Sequence, residues 1–334
     1  MNKLFSWHPL WSKAQSMKWL FAAVGVMAAS LCSPQVASAQ KPVEGAVPPV
    51  AAFKSSIDLV RVSAVVRDRK GRFVSNLTAR DFEIFDGGNS RPIADFRRDD
   101  AGVSVAFLFD VSGSMEARMG HAREAATHLL SWLDAEDDEV AIYTFDTQLD
   151  EVKGFAAGTR VLPEQLSSVK PFGATSLYDA IARTSEKVAQ RDSLRRAVIV
   201  FTDGLDTSSK LTASEVSGIA SSIDVPVYVI GIVPSIDNPS SSTSLTTVEK
   251  SVFTGALSNL AYWTGGETFV VSTILDRTKM ARQVVDELRH LYLIAFESGT
   301  ASGWHPLVVQ MRDKDLTVRA RSGYIAGQSR PISQ

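Results

Sequence analysis

From residue 103 onward the chain sets solid apolar runs against amphipathic stretches. The runs fall at 103–109, 140–145, 197–201 and 225–232, each rich in β-branched or aromatic residues. Such continuity marks strands buried on both faces. Segments with helical periodicity lie between them at 115–133, 176–190 and 214–222, and follow them at 252–264 and 276–290. Strands alternating with helices predict an α/β fold, a doubly wound and mostly parallel sheet covered on both faces.

Before residue 103 the pattern has a period of two. Residues 57–67 alternate around Leu59, Val60, Val62, Ala64 and Val66, and the turn Asp68-Arg69-Lys70-Gly71 follows. Thr78 to Asp81 reads as a capping box, 82–85 as a strand, and Asp86-Gly87-Gly88-Asn89 as a turn into a strand at 93–97. The end of the chain returns to this grammar with strands at 292–296, 305–311 and 316–321, the last two joined by a turn at 312–315. No αβ repeat remains to house them, so they are expected to pair with the early strands. The organisation expected is therefore a β-rich module begun by 55–100, an α/β domain over 102–290, strands over 291–326 completing the module, and a tail at 327–334. Helix 276–290 runs into strand 292–296, a route by which a movement of that helix would reach the β module.

Composition narrows the class. With 334 residues, 45% hydrophobic and 22% charged, the chain is neither disordered nor collagen-like nor a bundle of membrane spans. The first 39 residues change the charge and cysteine counts. Lys18 precedes the apolar run 19–29, and a more polar stretch ends Ala37-Ser38-Ala39, the pattern of a cleaved export signal before Gln40. The run is too short for a spanning helix, which needs about 20 apolar residues. Residues 1–16 make a long lead to that signal, and Met17 is expected as the true initiator. Cys32, the one cysteine, follows Leu31 and not a small residue, so it is read as discarded with the signal. The balance of 35 basic and 37 acidic side chains loses Lys3, Lys13 and Lys18 with the signal and becomes mildly acidic, which argues against nucleic acid as partner. The expected product is a cysteine-free chain in the periplasm or outside a bacterium, touching membrane only through its export signal, with a flexible lead-in over 40–54.

Candidate chemistry gathers where strands end. The runs at 103–109 and 197–201 lead into Asp110 and Asp203. In a parallel sheet all carboxyl ends lie on one edge, so these two acids are expected to meet. Two adjacent carboxylates repel unless a cation sits between them. Ser112 and Ser114 follow Asp110 at alternate positions, and Gly173-Ala174-Thr175 brings another hydroxyl to the start of a helix. Carboxylates and hydroxyls without histidine or cysteine form an all-oxygen set suited to Mg²⁺, Mn²⁺ or Ca²⁺, not zinc.

These residues resemble a known family. Asp110-Val111-Ser112-Gly113-Ser114, Thr175 within 173–180, and Thr202-Asp203-Gly204 are similar to the metal-ion-dependent adhesion site (MIDAS) of von Willebrand factor A domains, over about 102–290. The segment Asp81-Phe82-Glu83-Ile84-Phe85-Asp86-Gly87 and the terminal Val318-Arg319-Ala320-Arg321-Ser322-Gly323-Tyr324 resemble the secreted bacterial group called the VWFA-related acidobacterial domain family. The resemblance implies that Ser112 and Ser114 ligate the metal directly, that Thr175 does so directly or through water, and that Asp110 and Asp203 bind it directly or hold coordinated waters. It further implies a partner protein that offers an Asp or Glu carboxylate to the metal. The integrin β branch adds a second metal on acids that here are Ala117 and Arg118, so that second site is not expected.

Plainer readings stand beside these. Ser112 and Ser114 could cap the next helix, and Ser176 with Asp179 fits a capping box. His121 and His128, seven apart on a helix, lack a third ligand and read as ordinary boundary residues. The charge groups Arg67, Arg69, Lys70 and Arg72, and Arg195 with Arg196, read as solvated. The Ser/Thr-rich stretch 235–247 follows a strand on the same edge as Asp110 and could overhang the site. The leading function is an exported, non-enzymatic binding module. The alternatives are a metal-dependent hydrolase, against which stands the absence of a second aspartate two residues after Asp110, and a scaffold in an envelope assembly.

Overall fold

The computed structural model describes residues 59–98, 102–134, 136–233, 253 and 255–326. The expectations for 1–39, 40–54, 235–247 and 327–334 lie outside the described residues. In chain order the strands are β1 (Leu59–Asp68), β2 (Phe82–Asp86), β3 (Asn89–Arg91), β4 (Ile93–Arg97), β5 (Ser104–Asp110), β6 (Glu139–Phe145), β7 (Leu149–Ala157), β8 (Arg196–Thr202), β9 (Val227–Ile232), β10 (Thr268–Val271), β11 (Tyr292–Glu297), β12 (Gly303–Met311), β13 (Leu316–Ala320) and β14 (Gly323–Ala326). The helices are α1 (Met119–Trp132), α2 (Glu164–Ser168), α3 (Leu177–Ala189), α4 (Ala213–Ser222), α5 (Ala256–Trp263) and α6 (Ile274–Arg289).

The apolar runs form the middle of a six-stranded sheet in the order β10-β9-β8-β5-β6-β7, parallel except for β7. Every residue of β5, β8 and β9 is buried, and the two faces serve different helices. Val105, Phe107 and Phe109 pack on α1 and α6, while Ala106 and Leu108 pack among residues of α3, α4 and α5. Alternation along the strand thus feeds two cores, as a doubly wound sheet requires. The expected α/β class is observed.

The flanking strands form two further sheets, β13-β1-β11-β4 and β14-β12-β2-β3. They enclose a third core that joins Val62, Ala64 and Val66 of β1 to Phe82 and Ile84 of β2, Tyr292, Ile294 and Phe296 of β11, and Leu307 of β12. The early and late flanks therefore combine into one β module, as the fold reading expected. The opposite face of β1 serves the α/β part: Val65 enters the α1/α6 core, and Ser63 Oγ donates to Asp224 Oδ2 at 2.9 Å. All described residues fall in one compact unit.

Two connections differ from their sequence reading. Gly87 and Gly88 both take left-handed φ values, 56° and 82°, and close a tight hairpin between β2 and β3, not between β2 and the strand at 93–97. Pro92, which has no N–H, ends that ladder, and β4 crosses to the other sheet to pair with β11. Residues 312–315 likewise are no hairpin. They carry the chain from β12, paired with β2, to β13, paired with β1 in the facing sheet. The elements missed from the sequence are short or edge-lying: β3, β7, β10, β14 and the single-turn α2.

Candidate functional site

Asp110 ends β5 with no exposed surface. In the register of the parallel pair Phe109 lies beside Phe201, so the next residues, Asp110 and Thr202, are neighbours. Thr202 Oγ1 donates to Asp110 Oδ2 at 2.6 Å, and Gly204 N–H donates to Thr202 Oγ1 at 2.9 Å. The other carboxylate oxygen, Oδ1, accepts the Ser112 N–H at 2.9 Å. The carboxylate is thereby fixed in orientation before any ligand arrives.

The three segments singled out in the sequence are stitched together along the carboxyl edge of the sheet. Gly113 N–H donates to the Gly173 carbonyl at 3.2 Å and Phe172 N–H to the Val111 carbonyl at 2.9 Å. Thr207 and Ser208 N–H both donate to the Thr175 carbonyl at 2.9 Å, and Thr175 N–H donates to Thr207 Oγ1 at 2.9 Å. Ser112 Oγ and Ser114 Oγ lie 3.2 Å apart. Ser112, Thr175 and Asp203 are buried, whereas Ser114 is exposed, so the group opens to solvent on one side.

Burial pushes the Asp110 carboxyl up to about 6, against the hydrogen bonds from Ser112 and Thr202, and the charge of Asp203 pushes the same way. That direction is the mark of a buried acid facing another acid, which a cation would relieve. Arg118 partly does so, since its Nη1 donates to Asp203 Oδ2 at 3.0 Å and to the Ser114 carbonyl at 3.1 Å. Among the described residues no group of three or more His, Cys, Asp or Glu side chains is placed to hold a metal. An ion here would need the hydroxyls as well as the acids. Asp110, Ser112, Ser114, Thr175 and Asp203 are an all-oxygen donor set, and the residues present fit a hard divalent cation.

The plainer reading of the serines is not realised. Ser112 precedes a short 3₁₀ turn, Gly113–Met115, without a side-chain cap bond. The capping box expected of Ser176 and Asp179 is also absent, because Ser176 has ψ 63° and its side chain caps nothing. A cap needs an extended backbone at that position. The loop after β8 caps α3 instead: Asp206 Oδ1 accepts the Leu177 N–H at 2.8 Å, and Ser209 Oγ accepts those of Tyr178 and Asp179. Asp179 in turn accepts the N–H groups of Lys210 and Leu211. The loop carrying Asp203 and the helix following Thr175 are thus locked to each other.

Other sequence readings are corrected or placed. Arg67 is not solvated but pairs with the fully buried Glu287, and Arg195 and Arg196 are buried, the latter donating to the Ala189 carbonyl at 2.7 Å. Their charges sit at strand ends where carbonyls and acids are available, which a charge run does not disclose. Arg69 and Arg72 remain exposed. His121 Nδ1 lies 3.3 Å from Arg277 Nη1, and His128 is half-buried. Sequence reasoning missed the parts of Thr202 and Arg118. In the sequence Thr202 stands only as the neighbour of Asp203, and the strand register is what aims it at Asp110.

Residues 105–205 match the family model described as von Willebrand factor type A domain, and all five candidate ligands lie within that stretch. Over that stretch the chain is similar to a von Willebrand factor type A domain. Among solved structures it is similar to an aerotolerance-related membrane protein from Bacteroides fragilis, at 18% identity and a TM-score of 0.45, covering 56% of this chain and 98% of that one. A von Willebrand factor type A structure from Catenulispora acidiphila is 12% identical with a TM-score of 0.44, covering 82% and 75%. Proximal thread matrix protein 1 from the mussel byssus, described with a zinc-occupied MIDAS motif, is 18% identical with a TM-score of 0.44, covering 61% and 49%. No curated protein matches the sequence. No helix among the described residues is long and apolar enough to cross a membrane.

Proposed function

We propose that the protein is an exported, non-enzymatic binding module that captures an acidic side chain of a partner protein through a divalent cation, Mg²⁺ in the first instance. The observation that carries this reading is the joining of the Asp110, Thr175 and Asp203 segments by backbone hydrogen bonds, with three hydroxyls and two acids on one sheet edge. Asp110, Ser112, Ser114, Thr175 and Asp203 hold the ion. An Mg²⁺ ion held there, by some of these residues through water, would keep exchangeable positions that a partner's carboxylate could take. The chain's own groups do the rest: Thr202 and the Ser112 N–H hold Asp110 in place, and the 206–211 loop fixes Thr175 against α3. The signal-like pattern at 18–39 supports export to the periplasm or beyond, and the flanking motifs at 81–87 and 318–324 support membership of the acidobacterial VWFA-related group.

The test compares the purified protein with Asp110→Ala in capture of envelope proteins, with Mg²⁺ or with chelator, and in turnover of a generic phosphate ester. Capture that needs both Mg²⁺ and Asp110, without turnover, is expected. Turnover that is lost in Asp110→Ala would replace this reading with a hydrolase.

A further inference from the structure

Arg118 is the N-cap residue of α1, with φ −105° and ψ −17°, and its side chain makes no cap bond there. A cation at a helix N-terminus opposes the positive end of the helix dipole, so helix formation gives no reason for an arginine at this position. What the side chain does instead is reach the candidate metal site. Its Nη1 donates to Asp203 Oδ2 at 3.0 Å and to the Ser114 carbonyl at 3.1 Å, tying together the segments that bring one acid and one hydroxyl of the site. The Arg118 side chain keeps 20% of its surface exposed, against 4% for Asp203, so the guanidinium stands at the rim with the acid beneath it.

Charge counting shows what this adds. Asp110 and Asp203 alone would balance the charge of a dication, leaving only its open coordination positions to attract an anion. Arg118 adds one positive charge to that balance, on a planar fork of donors that matches the two oxygens of a carboxylate. We infer that Arg118 is a specificity-determining residue with two opposed effects. It competes with the divalent cation for Asp203, and on leaving Asp203 it donates to the second oxygen of the partner's carboxylate. The inference rests on the proposed metal-dependent capture and names the group that would make that capture selective for carboxylates.

The experiment compares the purified protein with Arg118→Gln and Arg118→Lys. Mn²⁺ is titrated by calorimetry, and N-acetylaspartate amide is then titrated into each Mn²⁺-loaded protein, its binding read from proton line broadening. Losing a charge-assisted bond at a partly exposed site is expected to tighten Mn²⁺ binding of Arg118→Gln about tenfold and to weaken the probe about fivefold, with Arg118→Lys between. Opposite signs are the signature, because a merely structural arginine would weaken both or move neither. Mn²⁺ binding by the parent protein with no change in the variants, or with both affinities falling, overturns the role of Arg118 and leaves the metal site standing. Absence of Mn²⁺ binding in all three proteins, with circular dichroism showing them folded, removes the metal site and this inference with it.

Discussion

Replacing Glu287 by glutamine keeps the shape of the side chain and removes its charge at the point where α6 meets the β module. Glu287 is fully buried and pairs with Arg67 of β1 and Arg319 of β13, while Arg319 also pairs with Glu267 just before β10. Burial pushes the Glu287 carboxyl up, against the pull of Arg319 and Arg67. Against its own burial, Arg319 is held above its ordinary value by Glu287, Tyr228 and Glu267. One carboxylate thus serves two guanidiniums whose side chains are only 25% and 17% exposed. A glutamine offers one oxygen and turns an N–H₂ group toward the remaining cation.

Removing one partner of a buried ion pair costs about 3–5 kcal/mol, and the partial exposure of both arginines points to the lower end, about 3 kcal/mol. For a chain of this size each kcal/mol moves the melting temperature by roughly 1.5 °C, so a fall of about 4–5 °C is expected. Urea unfolding at pH 7 should show the midpoint falling with an unchanged slope. A loss below about 1 kcal/mol would mean that Glu287 is not the charge holding the two arginines, and the account of how α6 is tied to the β module would fail.

Other expected outcomes concern the β module and the site. His305 Nδ1 lies 2.7 Å from Asp86 Oδ1, and that bond raises the histidine while, despite its burial, Asp86 is held below its ordinary value. The histidine's contribution to stability is complete below its unfolded value, about 6.5, and is lost as pH rises through the raised folded value, while that of Asp86 is lost as acid drives pH through its lowered one. Urea midpoints from pH 5 to 9 should therefore fall on the alkaline side in the parent protein and stay flat there in His305→Asn; parallel curves would refute the pairing. Thr202→Val removes the donor to Asp110 Oδ2, and Mg²⁺ affinity measured by calorimetry should drop roughly tenfold with the fold intact. Unchanged affinity would show that Thr202 does not orient the acid.

Sequence patterning disclosed the doubly wound sheet because strands buried on both faces leave long apolar runs, as in 103–109 and 225–232. It put Asp110 and Asp203 on one edge because parallel strands share their carboxyl ends. What it missed depends on register or on distant partners. No residue of the edge strand β7 is fully buried, and Asp150, Glu151, Lys153 and Gly154 break up its apolar positions, so it lacks a run. The pairing of β4 with β11, and not with β2, is decided by two glycines and Pro92 acting across two sheets. The buried roles of Arg67 and Arg118 depend on acids 220 and 85 residues away, which no local window shows.

The central claim is that five oxygen ligands on this edge hold one divalent cation, and anomalous diffraction from crystals grown with Mn²⁺ tests it most directly. A single peak within bonding distance of Ser112 Oγ and Ser114 Oγ, on the side of Asp110, Thr175 and Asp203, is expected. A peak elsewhere on the protein, or none at saturating Mn²⁺, would contradict it.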